Sequence, residues 1–403
     1  MAPKLKLLFV DDDVAILGGL RRMLRGMREE WDMRFAPGGA EALVAIAADP
    51  PDVVVADMRM PGISGAQLLA RVRDEHPEII RLILSGYSDQ DLVMQTLMVA
   101  HQFLAKPCTP AALRATIERA CQLREMMTGE DLRRLVAGID HLPSLPDLYL
   151  QITAELRSED PQIEAVIAKI ECDPALSAKL LQLVNSGFFG LPQAVSDVGE
   201  AARLLGVEVL QAVVLFSGVF SAAEAQGEIP LSYPEFAAHA LSVGRLAQAL
   251  ARELDLSPFI RKEAFTAGIL HDMGKLILGL HRGAQYGAIL RQAEARGGGL
   301  SVLERETFGV SHGELGSYLL SLWGLPSSLV EAVAYHNNPS RSTHREVGTL
   351  ALVHIADILA NWDPSLAARP VLDDFDVSFI EATNLEAKLS DFMHLREAMR
   401  PQP

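Results

Sequence analysis

The stretch "KLLFVDDD", Lys6–Asp13, decides how the first third of the chain is read. An apolar run is broken off by three consecutive acids. It is too short for the apolar core of a signal peptide, and reads instead as a buried strand that delivers carboxylates to its carboxyl end. The pattern recurs outward from there. "MRFA" (33–36), "DVVVA" (52–56), "IIRLIL" (79–84) and "HQFLA" (101–105) also read as strands. Helical periods lie between them, near 14–27, 39–48, 64–75, 89–99 and 110–126. Strands alternating with helices predict a doubly wound α/β unit, a five-stranded parallel sheet of flavodoxin-like type with helices on both faces. In such folds the functional site lies at the carboxyl ends of the strands.

The residues at those ends are chemically matched. Asp11, Asp12 and Asp13 follow the first strand, Asp57 the third, Ser85 the fourth and Lys106 the fifth. Carboxylates converging on one sheet edge repel one another unless a cation compensates them. Oxygen-only ligation suits Mg²⁺. A hydroxyl and an ammonium opposite that ion suit a phosphoryl group, so a carboxylate here is placed to accept phosphate covalently.

"FVDDD", "VVVADMRMPGISG", "LILSGYSD" and "FLAKPC" resemble the receiver domain of two-component response regulators over about 120 residues. The resemblance implies Asp57 as phosphoacceptor. It also implies Asp11, Asp12, Asp57 and the backbone carbonyl of Arg59 as Mg²⁺ ligands. Ser85 and Lys106 should contact the phosphoryl oxygens, and Phe103 should be the switch aromatic. "RLILSGYSD" resembles in particular receivers fused to HD-type outputs. Cys108 departs from the bulky aromatic common after Lys-Pro. A sensor histidine kinase or phosphotransfer protein is the implied upstream partner.

The chain has 403 residues, enough for two or three domains. Hydrophobic residues make up 49% and aromatics 6%, which suits helices packed through Leu, Ala and Val better than aromatic-rich sandwiches. Residues 1–127 hold 15 Lys and Arg against 17 Asp and Glu; the remainder holds 21 against 35. That acidic remainder repels phosphate backbones, so no direct nucleic-acid partner is expected. Cys108, Cys121 and Cys172 form no CxxC pair, which argues against a disulfide framework and for a reducing cytoplasm. "VLQAVVLFSGVF" (209–220) is too short to span a bilayer and reads as a buried helix, so no membrane partner is expected.

Thr109–Pro110 starts a helix whose apolar positions Leu113, Ile117 and Ala120 share a face. The segment 128–140 reads as a linker helix that either transmits a signal or pairs with a second copy, making a homodimer possible. Beyond it, Asp160–Pro161, Asp173–Pro174 and Ser257–Pro258 each set a capping side chain before a first-turn proline. Asp197 with Glu200 forms a capping-box pattern, and Ile163, Val166, Ile167 and Ile170 mark a buried face. This half reads as all-helical.

Its most demanding stretch is "GILHDMGKLIL" (268–278), which sets His271 and Asp272 among apolar residues. A buried charge there needs a partner, whether a metal ion or a hydrogen-bonded neighbour. The plain alternative is a core histidine, with Asp272 and Lys275 as an i,i+3 pair. "LPSLPDLY", "DPALSAKLLQLVNSGFFG", "EAARLLGVEVLQAVVL", "HDMGKLIL" and "WGLPSSLVEAVAYHNNP" resemble the HDOD output domain, a helical relative of HD-type metal phosphohydrolases. The resemblance implies His239, His271, Asp272 and Asp357 as one ligand set, with His312 and His336 matching additional histidines of two-metal relatives. Such nitrogen and carboxylate donors suit Fe, Mn, Zn or Ni. Lys275, one turn after His271, is the candidate for holding a substrate phosphate. Asn337 stands where HD-GYP phosphodiesterases have a second consecutive histidine, and their Gly-Tyr-Pro segment is absent. His344 and His354 read as structural.

The expected organisation is a receiver over 1–127, a linker helix over 128–140, an HDOD domain over 141–340 and a helical extension over 341–403 containing Asp357. The expected function is a phosphorylation-controlled response regulator whose HDOD domain binds a downstream protein partner or ligand. The alternative is a metal-dependent phosphohydrolase acting on a nucleotide or cyclic dinucleotide.

Overall fold

The structure, a computed structural model, describes residues 4–85, 99–106, 108–126, 151–152, 154–156, 162–185, 191, 193–206, 210, 230–296, 299–362 and 370–399. The chain divides into two compact units. The first comprises residues 1–141, 182–194 and 322–324, and the second the remainder.

In the first unit β1 (Leu5–Val10), β2 (Trp31–Ala36), β3 (Val53–Asp57), β4 (Ile80–Ser85) and β5 (Gln102–Ala105) form one parallel sheet in the order β2-β1-β3-β4-β5. The expected α/β class is therefore observed. Val53, Val54, Val55 and Ala56 are fully buried, as a central parallel strand covered on both faces requires. Helices α1 (Val14–Met23), α2 (Gly39–Ala48), α3 (Gly65–Glu75) and α4 (Pro110–Met126) connect or follow the strands. The first helix is shorter than its period suggests. It ends at Met23 and a 3₁₀ turn, Arg25–Met27, takes over around Gly26, a residue of low helical propensity. Asp13 caps α1 by accepting from the Ala15 amide at 2.7 Å, and Ser64 and Gln67 form a capping box at α3. Leu113 and Ile117 are buried as their spacing predicts. The expected helix at 89–99 lies, but for its last residue, outside the described residues; so do the linker at 128–140, the Asp160–Pro161 cap and all of 209–220 except Leu210.

Past residue 140 the described elements are helical. They are α5 (Ile163–Ile170), α6 (Pro174–Val184), α7 (Tyr233–Glu253), α8 (Pro258–Leu270), α9 (Met273–Arg296), α10 (Leu300–Phe308), α11 (His312–Leu322), α12 (Ser327–Tyr335), α13 (Thr349–Asn361), α14 (Val377–Ala382) and α15 (Leu389–Ala398). The proline-capped starts form as expected: Asp173 Oδ1 accepts from the amides of Ala175 and Leu176, and Ser257 Oγ from that of Ile260. Val166, Ile167 and Ile170 are buried, while Ile163 is half-buried.

Glycines set the closest helix approaches. A methyl group on Gly268 would lie 2.6 Å from the Gly244 Cα, so α7 and α8 meet glycine on glycine. One on Gly274 would overlap the carbonyl of His312, and one on Gly313 would lie 2.8 Å from the Val333 carbonyl. In the first unit, Gly65 lets the start of α3 pass against the backbone of Asp57, where any Cβ would overlap the Asp57 carbonyl. Gly65→Ala should therefore lower unfolding stability by about 1–3 kcal/mol, the usual range for overpacking. Denaturant unfolding followed by circular dichroism would measure it.

Candidate functional site

The strand ends of the first unit gather three side chains. Asp11 is buried directly after β1, Asp57 closes β3, and Lys106 directly follows β5. The Lys106 ammonium donates to Asp11 Oδ2 at 2.7 Å and also to Asp57 Oδ1. The second Asp57 oxygen accepts from the Arg59 amide at 2.7 Å, and Asp11 Oδ1 from the Asp13 amide at 2.9 Å. Burial pushes the Asp57 carboxyl up, against the pull of Lys106. Burial opposes the charge on Lys106, but its bonds to Asp11 and Asp57 outweigh that and raise its pKa. Asp12 is exposed at the same strand end. Ser85 closes β4 and Phe103 lies in β5, with both side chains outside the described residues. The oxygen-only donors of Asp11 and Asp57 beside Asp12 and the Arg59 backbone fit a hard divalent cation such as Mg²⁺.

A second gathering occupies the helical unit, and six helices build it. His239 comes from α7, His271 and Asp272 from the joint between α8 and α9, His312 from the start of α11, His336 from the end of α12 and Asp357 from α13. All six residues singled out from the sequence meet. His239 Nε2 lies 3.2 Å from Asp357 Oδ1 and 3.7 Å from Asp272 Oδ2. His271 Nε2 lies 3.3 Å from Asp272 Oδ2 and 3.6 Å from Asp357 Oδ1. His312 and His336 approach the other Asp272 oxygen, Oδ1, at 3.3 and 3.7 Å. The glycine contacts explain the convergence: Gly244 against Gly268 brings His239 to His271, Gly274 brings His312 to Asp272, and Gly313 brings α11 to the end of α12.

The rings are oriented from behind. His271 Nδ1 is held by the Gly268 carbonyl at 2.7 Å, His336 Nδ1 by the Val333 carbonyl at 2.9 Å and His312 Nδ1 by Glu304 at 2.6 Å. Each Nε2 is thereby turned toward the carboxylates, the arrangement that orients metal-binding histidines. His271 Nε2 and Asp272 Oδ1 are buried without a hydrogen-bond partner. Two overlapping groups, His239/His271/Asp357 and His271/Asp272/His336, bring their donor atoms within 4.8 Å of one another. The donor chemistry and the orphaned atoms both fit a first-row divalent metal.

Charge compensation is already close to balanced. Burial disfavours the charge on His271, yet Asp272 and Asp357 push its pKa up to about 10. Burial, with His271 and His312 nearby, drives His336 down to about 3, so that ring is neutral. Burial opposes ionisation of Asp272 and Asp357, but the surrounding histidines hold both well below the usual carboxylate range. Lys275 sets its ammonium on Asp272 Oδ2 at 2.6 Å, which is the i,i+3 pair its spacing allows.

Two supporting residues, Glu304 and Tyr286, are not singled out by the sequence, and a third, His354, is structural as its sequence reading has it. Glu304 is fully buried and takes both the amide and Nδ1 of His312, while Tyr286 donates to its other oxygen at 2.9 Å. His354 bonds the His336 carbonyl through Nδ1 at 2.7 Å and accepts the Asp376 amide on Nε2 at 3.0 Å. Nothing in the spacing of Glu304 and Tyr286 marks them. His344 is exposed and pairs with Glu331.

Comparison with known proteins gives two family matches. The response regulator receiver domain matches residues 7–118, and the HDOD domain matches residues 142–339. An uncharacterized protein of Treponema pallidum (strain Nichols) is 26% identical over 227 residues, covering 55% of this chain and 44% of that protein. The hydrogenase transcriptional regulatory protein HoxA of Cupriavidus necator is 32% identical over 130 residues, covering 32% of this chain and 26% of that protein. The chain thus spans less than half the length of these curated relatives. The crystal structure of the MmoQ response regulator from Methylococcus capsulatus is 27% identical, covering 63% of this chain and 98% of that one, with a TM-score of 0.49. Among the described residues no helix is long and apolar enough to cross a membrane.

Beside the cluster, Glu314 accepts from the Ser311 amide at 2.9 Å, Arg305 at 3.1 Å and Arg341 at 2.6 Å. Burial pushes its carboxyl up, but these donors win and lower it from 4.5 to about 2. The stabilisation is complete above the unfolded value and is lost as pH falls toward the folded one. Glu314→Gln should cost about 3 kcal/mol at neutral pH and flatten the acid limb of a stability–pH curve between pH ~4.5 and ~2.

Proposed function

We propose, from the premise that this chain is a two-component response regulator in which a receiver domain precedes an HDOD domain, that phosphate on Asp57 controls what the HDOD domain binds. The observation that carries the reading is the Lys106 ammonium shared between Asp11 and Asp57. A lysine so placed neutralises the buried pair and is at hand when a phosphoryl group adds to the Asp57 oxygen. An Asp57 carboxylate oxygen attacks the phosphorus of a phosphohistidine on a sensor kinase or phosphotransfer protein, forming the acyl phosphate as the P–N bond breaks and the donor's imidazole leaves and takes up a proton. The other Asp57 oxygen stays oriented by the Arg59 amide. Lys106 then follows the negative charge from carboxylate to phosphoryl oxygen. Mg²⁺, when held by Asp11, Asp12, Asp57 and the Arg59 carbonyl, supplies further neutralisation of the phosphoryl oxygens. Ser85 contacts the phosphoryl group and Phe103 repositions with it, which is the differential contact a two-state switch needs.

The HDOD domain is the output, with a downstream protein or small ligand as its partner. The proposed organisation is a receiver over 1–127, a linker over 128–140, an HDOD domain over 141–340 and an extension over 341–403. The scattered cysteines suit the cytoplasm, and the acidic surplus of the output half disfavours direct DNA contact.

A second reading has its own support in the histidine–aspartate cluster. A first-row metal there would lower the pKa of a bound water, and Lys275 would face a substrate phosphate, as in hydrolysis of a nucleotide or cyclic dinucleotide.

A small-molecule phosphodonor should place one acid-stable, base-labile phosphate on the wild-type chain and none on Asp57→Ala, read by intact mass. Lys106→Ala should retard labelling by about tenfold or more. Phosphorylated protein should differ from Asp57→Ala in amide hydrogen exchange within residues 141–340. Identical exchange in both would remove the switch.

A further inference from the structure

Asn337 is exposed, yet its amide reaches back into the cluster. Nδ2 donates to His336 Nε2 at 2.6 Å and to His312 Nε2 at 2.9 Å. Those two ring nitrogens stand 3.4 Å apart and face Asp272 Oδ1, His312 at 3.3 Å and His336 at 3.7 Å. Three acceptors at such separations match neighbouring ligands of an ion held at about 2.0–2.2 Å.

The orientation of the amide follows from the rings. Nδ1 of His336 faces the Val333 carbonyl and Nδ1 of His312 faces Glu304, so the ring proton sits on Nδ1 in both. In that tautomer of the neutral ring Nε2 carries the lone pair, and an amide N–H is the group that meets it. A carboxamide carries two N–H bonds, one for each ring, whereas its oxygen would meet two lone pairs. The amide nitrogen has no lone pair of its own to give a metal. With both imidazoles engaged, Asp272 Oδ1 remains the acceptor without a partner.

We infer that Asn337 is a latch: it keeps a cation out of the Asp272/His312/His336 half of the cluster and confines metal binding to the His239/His271/Asp357 half. The inference rests on the metal-competent reading of the cluster and is independent of the events at Asp57. It makes the two halves unequal although their protein donors are of the same kind. In the other half an amide also reaches a donor atom, Asn361 Nδ2 to Asp357 Oδ1 at 3.0 Å, but a carboxylate oxygen keeps a second lone pair whereas an imidazole Nε2 has one, and among the described contacts no amide meets Nε2 of His239 or His271.

The full-length chain, stripped of metal and then dialysed against Mn²⁺ or Zn²⁺ alone, tests this by elemental analysis and calorimetry. Asn337→Ala should bind one more equivalent than wild type, and His312→Ala on that background should abolish the gain. Asn337→Ser, too short to reach both rings, should behave as Asn337→Ala. Equal stoichiometry in wild type and both variants overturns the latch, as does a loss of metal on substitution, which would make Asn337 a ligand. Circular dichroism and thermal unfolding of the same preparations verify that the variants are folded, and phosphodonor labelling of Asp57 reports separately on the proposed receiver function.

Discussion

A carboxylate removed from water has to be met by positive charge or by donors, and both units of this chain are organised around that requirement. In the sheet unit, Asp11 and Asp57 are both turned into the strand-end site and one ammonium serves them jointly. In the helical unit, Asp272 and Asp357 lie among four imidazoles and Lys275. The solutions differ in kind. The first is a single ammonium on a lysine stem, shared between two carboxylates. The second is a ring of rigid donors fixed from behind by carbonyls and Glu304, which suits holding something in place.

Backbone proximity comes before chemistry in both places. The Asp57 carboxyl is aimed from the end of a fully buried strand, and α3 can start against it because position 65 lacks a side chain. The histidine–aspartate cluster draws on six helices that would stand further apart without Gly244, Gly268, Gly274 and Gly313 at their crossings. "HDMGK" therefore supplies more than ligands: its glycine is the reason a later helix can deliver His312 to Asp272.

The sheet unit was legible because parallel strands buried on both faces write themselves as short apolar runs, and because its functional side chains follow those runs directly. "KLLFV" and "DVVVA" give β1 and β3 to within a residue, and Asp57 and Lys106 stand where the runs end. The ligand set of the helical unit was legible through motif resemblance. What stayed hidden was support that crosses between elements. Glu304 reaches His312 from another helix with Tyr286 behind it, and the particular bonds made by His354 and Asn337, residues the sequence does mark, are equally out of its reach. No period or spacing encodes such contacts, since they depend on where helices come to rest against each other.

The relation between His336, His354 and Asp376 has one more consequence. The HDOD match stops at residue 339, but the carboxylate of Asp357 and the chain of bonds from the His336 carbonyl through His354 to the Asp376 amide lie beyond it. The family's edge is thus not the edge of the working unit. A fragment trimmed there would leave His239 and His271 with half their counter-charge and would set the end of α12 adrift, so the tail after residue 340 belongs to the cluster as much as the motif that advertises it.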